Sequence, residues 1–333
     1  MFGRDKKGML PRKPRPKNLI IYAVTVAILM GVALFSAQLS KGLQSFELVK
    51  APRLPFAVEV FDVGQGDAIF IRVDDGEDSA HTMLIDAGDV SGGAKVAAML
   101  DIHNVHSLDY VVVSHLHNDH IGGIPNAIEG RTVGKIIEPP CPADLIPTGS
   151  TYEHYLDAVE ASGAEYATVG AGDSFDLGAA HVEVLAPGDM AVNDLNNASL
   201  VLRVTYEDCT CLFTGDMEAE EEKWLLSQGV DISADFLKVA HHGSNTSSTE
   251  EFLAAVKPKF AAISCSKDNE YGHPAPSTLQ HLQESPNAPE IHITAEEGEI
   301  EFTYTHSPVP MQITTHVFVP TQTDVQHMKE ETP

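Results

Sequence analysis

The stretch that decides the fold is Ser114-His115-Leu116-His117-Asn118-Asp119-His120-Ile121-Gly122-Gly123, which follows the apolar run 108–113. In extended backbone, side chains two positions apart point the same way, so His115 and His117 can bind one cation. If the chain then turns into a helix, Asp119 and His120 can reach a second cation. The two glycines that follow allow a tight turn. This decapeptide therefore predicts a metal site at the end of a strand.

Two later strand ends supply the other residue types that a dinuclear site needs. Asp216 closes the run Leu212-Phe213-Thr214-Gly215-Asp216 and is a candidate for the carboxylate that bridges two cations. The doublet His241-His242 follows the apolar run 236–240 and offers further imidazole ligands. Each motif alone is weak evidence. Three of them at successive strand ends predict a centre with two divalent metal ions.

The chain between these motifs alternates strand-like and helix-like stretches, which predicts an α/β layered fold. Runs such as 68–73 and 199–206 are typical of strands, and 152–162 is typical of a helix. We expect one domain over residues 55–305. The Pro- and Thr-rich tail, 306–333, is expected to be poorly ordered.

The motifs SHLHNDHIGG, FTGDM, LKVAHHGS and YGHP, with FDVGQGDA near the start, resemble those of the metallo-β-lactamase superfamily. The closest resemblance is to the branch like the soluble domain of the competence DNA-uptake protein ComEC, over about residues 56–305. It implies an αββα sandwich with metals at the sheet edge and hydrolysis of a phosphoester, ester or amide. It also implies metal ligands at His115, His117, Asp119, His120 and Asp216, with one or both of His241 and His242.

One departure from the superfamily pattern lies in residues 193–200, where most members have a further His ligand and this chain has none. The ComEC-like branch has an Asn-Asn-x-Ser element there, matched by Asn196, Asn197 and Ser199. Either asparagine, or water, could complete the first metal site. We expect zinc as the metal. Manganese is also compatible, because a ligand shell that is richer in oxygen tolerates manganese as well as zinc. His154 and His181 are expected to be structural.

The predicted chemistry is hydrolysis by water that two cations activate at neutral pH. Asp119 is expected both to bind metal and to orient the attacking water. Whichever of His241 and His242 does not bind metal can contact the substrate or protonate the leaving group. The family places His273 over the metals, which implies a substrate-binding or general-acid role. The alternative for His273 is an ordinary exposed loop residue.

Further residues are predicted to support the ligands or to contact substrate. Asp86 ends a strand and can hold the free ring nitrogen of a ligand histidine. Gln65 and Asp67 lie in a VGQGD turn. They either hold a ligand histidine in the way proposed for Asp86 or only shape the turn. The predicted supporting set is Gln65, Asp67, Asp86, Asn196, Asn197, Ser199 and Ser244.

The N-terminal region has the pattern of a signal anchor. Residues 1–17 contain seven Lys or Arg, and residues 18–40 contain no charge. Within the second range, the 21 residues from Leu19 to Leu39 would span roughly 32 Å as a helix, which matches a bilayer core. The positive-inside rule then places residues 1–17 in the cytoplasm and, beyond a linker at 41–54, the domain outside it. A cleaved signal peptide is the alternative, and it also places the domain outside.

Charge narrows the range of substrates. The formal net charge is -27, and beyond residue 17 there are 14 cationic side chains against 47 acidic ones. Such a body repels long polyanions, so we expect a small or cell-wall phosphoester substrate more than duplex DNA. The favoured function is an anchored phosphodiesterase or nuclease-like hydrolase. The alternatives are a non-catalytic metal-bound assembly or binding module and a β-lactam or lactone hydrolase. The oligomeric state stays open.

Overall fold

The first of the two sheets in the described ranges contains eight strands. In most of these strands, successive side chains point to opposite faces of the sheet, and both faces are buried. The computed structural model describes residues 54–76, 80–189, 193–306 and 309–317. In spatial order the strands are β15 (Met311–His316), β14 (Glu299–Tyr304), β1 (Phe56–Val60), β2 (Ile69–Val73), β3 (His81–Ile85), β4 (Ser107–Val112), β5 (Thr132–Glu138) and β6 (Glu165–Thr168).

The second sheet contains seven strands and packs face to face against the first. In spatial order they are β13 (Glu290–Ile293), β12 (Phe260–Ile263), β11 (Phe236–Lys238), β10 (Cys209–Phe213), β9 (Val201–Tyr206), β8 (Ala180–Ala186) and β7 (Ser174–Leu177). Apolar side chains of both sheets, such as Val58, Ile71, Val204 and Phe236, form the central core. Burial of this surface is the main force that holds the two layers together.

Helices cover the outer faces of both sheets. Leu100 and Ile124 pack on the first sheet, and Leu225 and Phe252 pack on the second, in two further apolar cores. The helices are α1 (Val90–Ile102), α2 (Asn118–Ile121), α3 (Ile124–Ile128), α4 (Ser150–Ser162), α5 (Ala219–Ser227), α6 (Glu250–Val256), α7 (Pro276–Glu284) and α8 (Thr294–Glu297). The described part of the chain is therefore an αββα sandwich, and the predicted α/β sandwich is confirmed.

Parallel pairing brings the predicted ligand motifs together. β4 lies between β3 and β5, and β11 lies between β10 and β12, with parallel neighbours in each case. Since parallel strands have their carboxyl ends at one edge, the segments after β4, β10 and β11 meet at the same edge of the sandwich. These are the segments that contain the three histidine and aspartate motifs.

The structure differs from the sequence prediction at several elements. Strand β15, Met311–His316, lies within the tail that was expected to be poorly ordered. Met311 and Ile313 alternate toward the central core, and six residues pair with β14. Strands β5 and β6 were not predicted, because Gly134 and Lys135 interrupt the first and the second is a polar edge strand.

The glycines after His120 form the predicted turn and have a second role. Gly122 and Gly123 are the turn between α2 and α3, with φ of -61° and -86°. A methyl group on Gly123 would overlap the Ala87 carbonyl oxygen and the Cα of Gly93. The glycines thus also permit close packing against the start of α1.

The predicted membrane helix, residues 18–40, lies outside the described residues. Among the helices that the structure describes, none is both long enough and apolar enough to cross a bilayer.

Candidate metal centre

The first group of potential ligands lies at the end of β4. His115 is fully buried, and its Nε2 lies 2.9 Å from Nδ1 of His117. The same nitrogen lies 3.8 Å from Oδ2 of Asp216, which follows β10. One ligand atom from each residue falls within 4.8 Å of the others. We call His115, His117 and Asp216 the first cluster.

A second group adjoins the first. His120 Nε2 lies 4.0 Å from Asp119 Oδ2, and His242 Nε2 lies 3.5 Å from the same carboxylate oxygen. Asp216 Oδ2 lies 3.4 Å from His120 Nε2 and 3.5 Å from His242 Nε2. We call Asp119, His120 and His242 the second cluster. Asp216 touches both clusters, which is the position that a bridging carboxylate must take.

The donors of both clusters suit divalent cations. His120 Nε2, His242 Nε2 and Asp216 Oδ1 are buried, and no atom of the described residues is hydrogen-bonded to them. Buried polar atoms are nearly always paired, and these two imidazole nitrogens both lie within 3.5 Å of Asp216 Oδ2, so the unpaired set fits the ligand shell of a cation. Imidazole nitrogens and carboxylate oxygens are the usual ligands of zinc and related ions.

The electrostatics of these side chains support the same conclusion. Burial alone would raise the pKa of Asp216, but His242 and His120 hold it well below its usual value. Burial alone would lower the pKa of His120, but Asp216 and Asp86 raise it well above its usual value. Without metal, protons on these histidines offset the carboxylates. Divalent cations would replace those protons.

Asp86 supports the second cluster through His120. Its Oδ2 lies 2.8 Å from His120 Nδ1 and accepts a hydrogen bond of 2.6 Å from Ser114 Oγ. The Ser114 backbone N–H donates to Oδ1 at 2.8 Å. Burial raises the pKa of Asp86, although His120 opposes that shift. These bonds fix the His120 ring so that Nε2 faces the cluster.

Asp67 supports the same cluster through His242. Its Oδ1 lies 3.3 Å from His242 Nδ1 and accepts a hydrogen bond from Ser264 Oγ. The Ser264 carbonyl oxygen also lies 3.1 Å from His242 Nδ1. Lys238 Nζ lies 2.9 Å from the other Asp67 oxygen. Sequence reasoning missed Ser264 and Lys238, although a single lysine within the apolar run Phe236-Leu237-Lys238-Val239-Ala240 was a usable signal.

The two histidines after β11 occupy different places. His242 is 1 % exposed and belongs to the second cluster. His241 is 21 % exposed and belongs to no ligand cluster of the described residues, although its Nε2 lies 3.8 Å from Asp216 Oδ2. His241 Nδ1 lies 3.2 Å from Glu218 Oε1 and from Thr246 Oγ1. Both histidines have left-handed backbone, with φ of 48° and 54°, which is strained for such residues. No feature of the sequence pointed to Glu218 or Thr246.

The Asn-Asn-x-Ser element has divided roles. Asn196 lines the same cleft as His117 and donates from Nδ2 to Glu218 Oε1 at 3.3 Å, while its buried Oδ1 has no hydrogen-bond partner among the described residues. Asn197 faces away, since its amide bonds to Asp194 and its Oδ1 accepts from the Glu221 backbone. Ser199 Oγ accepts a 3.0 Å bond from the Asp216 backbone N–H. Asn196 is therefore the asparagine beside the first cluster, and Ser199 holds the bridging position.

A cleft of about 850 Å³ opens above both clusters. His273 lies in its wall, with its ring centre 5.6 Å from that of His241 and 6.3 Å from that of His242. Burial, His242 and His241 lower the pKa of His273 to about 4. Gln65 also lines the cleft, and its Oε1 accepts from the Ser266 backbone at 3.4 Å.

Ser244, which was predicted to support the ligands or contact substrate, lies outside the cleft lining of the described residues. Its Oγ is 2.9 Å from Thr246 Oγ1, and its carbonyl accepts from Thr278 Oγ1 at 2.7 Å. The residue braces the turn that presents His241. The assigned roles of all these site residues remain predictions.

With the fold and site in view, comparison with known proteins identifies the class. The model of the metallo-beta-lactamase superfamily matches residues 61–267, and the chain belongs to that superfamily.

The relatives agree with the ComEC-like resemblance, which is confirmed. The chain is 29% identical over 321 residues to ComE operon protein 3 of Bacillus subtilis (strain 168), covering 87% of this chain and 40% of that protein. It is 31% identical over 276 residues to Competence protein ComA of Neisseria gonorrhoeae, covering 80% and 36%. The chain thus spans less than half the length of these curated relatives. YhfI from Bacillus subtilis, a solved metallo-beta-lactamase fold protein, aligns with TM-score 0.46 at 13% identity, covering 71% of this chain and 96% of that one.

Proposed function

We propose that this protein is a hydrolase that uses two divalent metal ions, zinc by preference, to cleave phosphoester bonds. The observation that supports this most is the sharing of Asp216 between two ligand clusters beneath a solvent-open cleft. His115, His117 and Asp216 would hold one ion, and Asp119, His120, His242 and Asp216 the other. When bound, such a pair polarises a phosphoryl group and activates water at neutral pH.

The surrounding side chains have distinct tasks in this proposal. The Asp119 side chain is 33 % exposed in the cleft, so its carboxylate can accept a hydrogen bond from the attacking water and orient it. His241 Nε2 is held toward the cleft by Glu218 and can donate to a substrate oxygen. His273 is neutral at physiological pH because its pKa is about 4, so it serves substrate binding better than general-acid catalysis.

The cleft lining favours a compact substrate. In the described ranges it contains the acidic side chains of Asp89, Asp268 and Glu270 but no lysine or arginine. A long polyanion would be repelled by these carboxylates and by the acidic body. A small or cell-wall phosphodiester, held by the metals and by neutral donors such as Asn196, is more compatible. The cleft thus disfavours duplex DNA.

We also propose that the protein is anchored in the cell membrane through residues 18–40, with the catalytic domain outside the cytoplasm. Support comes from the uncharged span and the seven basic residues before it. Protease treatment of intact cells, compared with lysed cells, tests this placement. Digestion of residues 54–317 only after lysis would contradict it.

The activity is tested with the full chain in detergent. Bound metal is measured by mass spectrometry, and hydrolysis of bis(p-nitrophenyl) phosphate is compared with opening of nitrocefin in Zn²⁺ and in Mn²⁺. We expect two metals per chain and phosphodiester cleavage that Asp119→Ala removes. Asp268→Asn, which changes a cleft carboxylate outside both clusters, is the matched control and should stay active. Metal binding without hydrolysis above Asp119→Ala would favour a non-catalytic module, and nitrocefin turnover alone would favour a lactamase.

A further inference from the structure

Lys238 is a fully buried lysine beneath the metal centre. It ends β11 in the middle of the second sheet, paired with Phe213 of β10 and Ala262 of β12. Its neighbours Leu237 and Val239 pack under the helices. Lys238 therefore points to the opposite face, between the sheets, where apolar side chains are otherwise the rule. Burying an ammonium there costs several kcal/mol unless it is paired.

The partner of Lys238 belongs to the other sheet. Its Nζ lies 2.9 Å from Oδ2 of Asp67, which follows β1 and is 1 % exposed. The same ammonium donates to the Val239 carbonyl at 3.0 Å. The backbone N–H of Asp67 donates to the Asp119 carbonyl at 3.3 Å. Lys238 thus holds a turn that touches the second cluster both through Asp119 and through His242.

Asp67 is itself close enough to act as a ligand. One of its oxygens falls within 4.8 Å of ligand atoms on Asp216 and His242, and also of ligand atoms on Asp86 and His120. A free carboxylate at that distance would compete for the second metal. It would also add one negative charge to a site that already contains Asp119 and Asp216.

We propose that Lys238 is a positioning residue: its buried ammonium forms an ion pair with the Asp67 carboxylate. It keeps the Asp67 carboxylate on Nδ1 of His242 and out of the metal's coordination, so that Nε2 of His242 takes the ligand position. The second metal then meets only two carboxylates, which preserves its ability to polarise substrate. This inference rests on the proposed binding of metal at the second cluster.

Charge balance gives this proposal a signature that a merely structural role lacks. Lys238→Met leaves Asp67 as an extra anion beside the metal, so the second metal should bind at least about tenfold more tightly at neutral pH. Asp67→Asn leaves Lys238 as an extra cation, so the second metal should bind at least about tenfold more weakly. The double variant removes both charges but keeps an amide oxygen that can accept from Nδ1 of His242, so it should bind metal within about threefold of the wild type.

The experiment titrates Zn²⁺ into the full chain in detergent against a fluorescent chelator, for the wild type and these three variants. Thermal unfolding without metal is measured alongside, where both single variants should be less stable and the double variant should recover. Lys135→Met is the matched control, because it removes the same charge from a surface pair with Glu165. It should leave both metal affinities unchanged.

The outcomes separate this inference from the proposed function. Opposite shifts that cancel in the double variant support it. Shifts in the same direction, no shift, or failure of the double variant to recover would overturn it and leave Lys238 as a structural residue. If Lys238→Met does not fold, the comparison of Asp67→Asn with the double variant decides by the same criterion. A wild type that binds no Zn²⁺ would overturn the proposed function as well.

Discussion

The two ligand clusters share Asp216 but differ in the support around them. In the second cluster His120 is fixed by Asp86 at 2.8 Å, and His242 is fixed by Asp67 and the Ser264 carbonyl. In the first cluster the described residues place no carboxylate on the outer nitrogen of His115, which meets only Ser114 Oγ at 3.1 Å. His117 is partly exposed, and no carboxylate of the described residues is hydrogen-bonded to its ring.

The two metals should therefore bind with different affinities. The first cluster has fewer candidate ligands, because residues 193–200 contain no histidine, and fewer hydrogen bonds orient its rings, so its metal should exchange more readily. The second cluster has buried ligands whose outer nitrogens are hydrogen-bonded, and such outer contacts raise metal affinity. We expect one tightly bound metal at the second cluster, the tight cluster, and one loosely bound metal at the first, the loose cluster.

Removal of the shared carboxylate should have the largest effect. Asp216→Asn withdraws the group that touches both clusters and leaves His120 and His242 without their main counter-charge. We expect both metals to bind weakly and phosphodiester hydrolysis to fall about a thousandfold or more. Metal analysis and steady-state kinetics measure both effects. Near-normal activity with two bound metals would contradict the bridging role.

Removal of outer support from the tight cluster should have the next largest effect. Asp86→Asn leaves one oxygen, which the Ser114 backbone N–H holds, and puts an NH2 group that cannot accept a hydrogen bond opposite His120 Nδ1. The affinity of the tight metal should fall about 10- to 100-fold. Chelator competition detects this, with Asp268→Asn as the control of equal charge change. Loss of the loose metal alone would reverse our assignment of the clusters.

The corresponding change beside the loose cluster should matter less. Asn196→Ala removes the amide that lines the cleft beside His117, together with its hydrogen bond to Glu218, but no buried charge. We expect about fivefold weaker binding of the loose metal and little change for the tight one, since one neutral hydrogen bond is worth about 1 kcal/mol. The same competition assay applies. An effect equal to that of Asp86→Asn would show that both clusters are supported equally.

The loop beside the loose cluster also predicts a pH dependence of stability. Glu221 is fully buried under that loop, and burial together with Asp194 raises its pKa well above the usual value. The folded state therefore holds this proton more tightly than the unfolded state, so the stabilisation exists at low pH and is lost as pH rises through the raised pKa.

Glu221→Gln should abolish this decrease in stability with rising pH, because glutamine stays neutral at every pH. We expect a gain of about 0.5–1 kcal/mol in the free energy of unfolding at about pH 8, shrinking toward zero near pH 4. Denaturant unfolding across this range measures the difference. Parallel curves for the two proteins would refute the shift.

Much of the site was predictable because ligands follow strands. The run of apolar residues before His115, Asp216 and His241 fixed each motif at a strand end, and parallel pairing then placed those ends together. The placement of His242, and not His241, within the second cluster was not predictable. It depends on left-handed backbone at both positions, which the sequence does not signal.

Contacts between the sheets were also beyond sequence reasoning. Lys238 and Asp67 are 171 positions apart and meet only because the two sheets pack face to face. Asn197 and Asn196 are adjacent and chemically identical, yet a short 3-10 turn at Asn196–Ala198 sends one toward the cleft and the other toward Asp194. Side-chain direction at such turns follows from packing, not from spacing.

The central claim is that two metals lie at one edge of the sandwich and share Asp216. Anomalous X-ray diffraction from crystals of the zinc-loaded protein tests it most directly. We predict two peaks, one within reach of His115, His117 and Asp216, and a second, stronger one within reach of Asp119, His120, His242 and Asp216. A single peak, or peaks that Asp216 does not contact, would contradict the account.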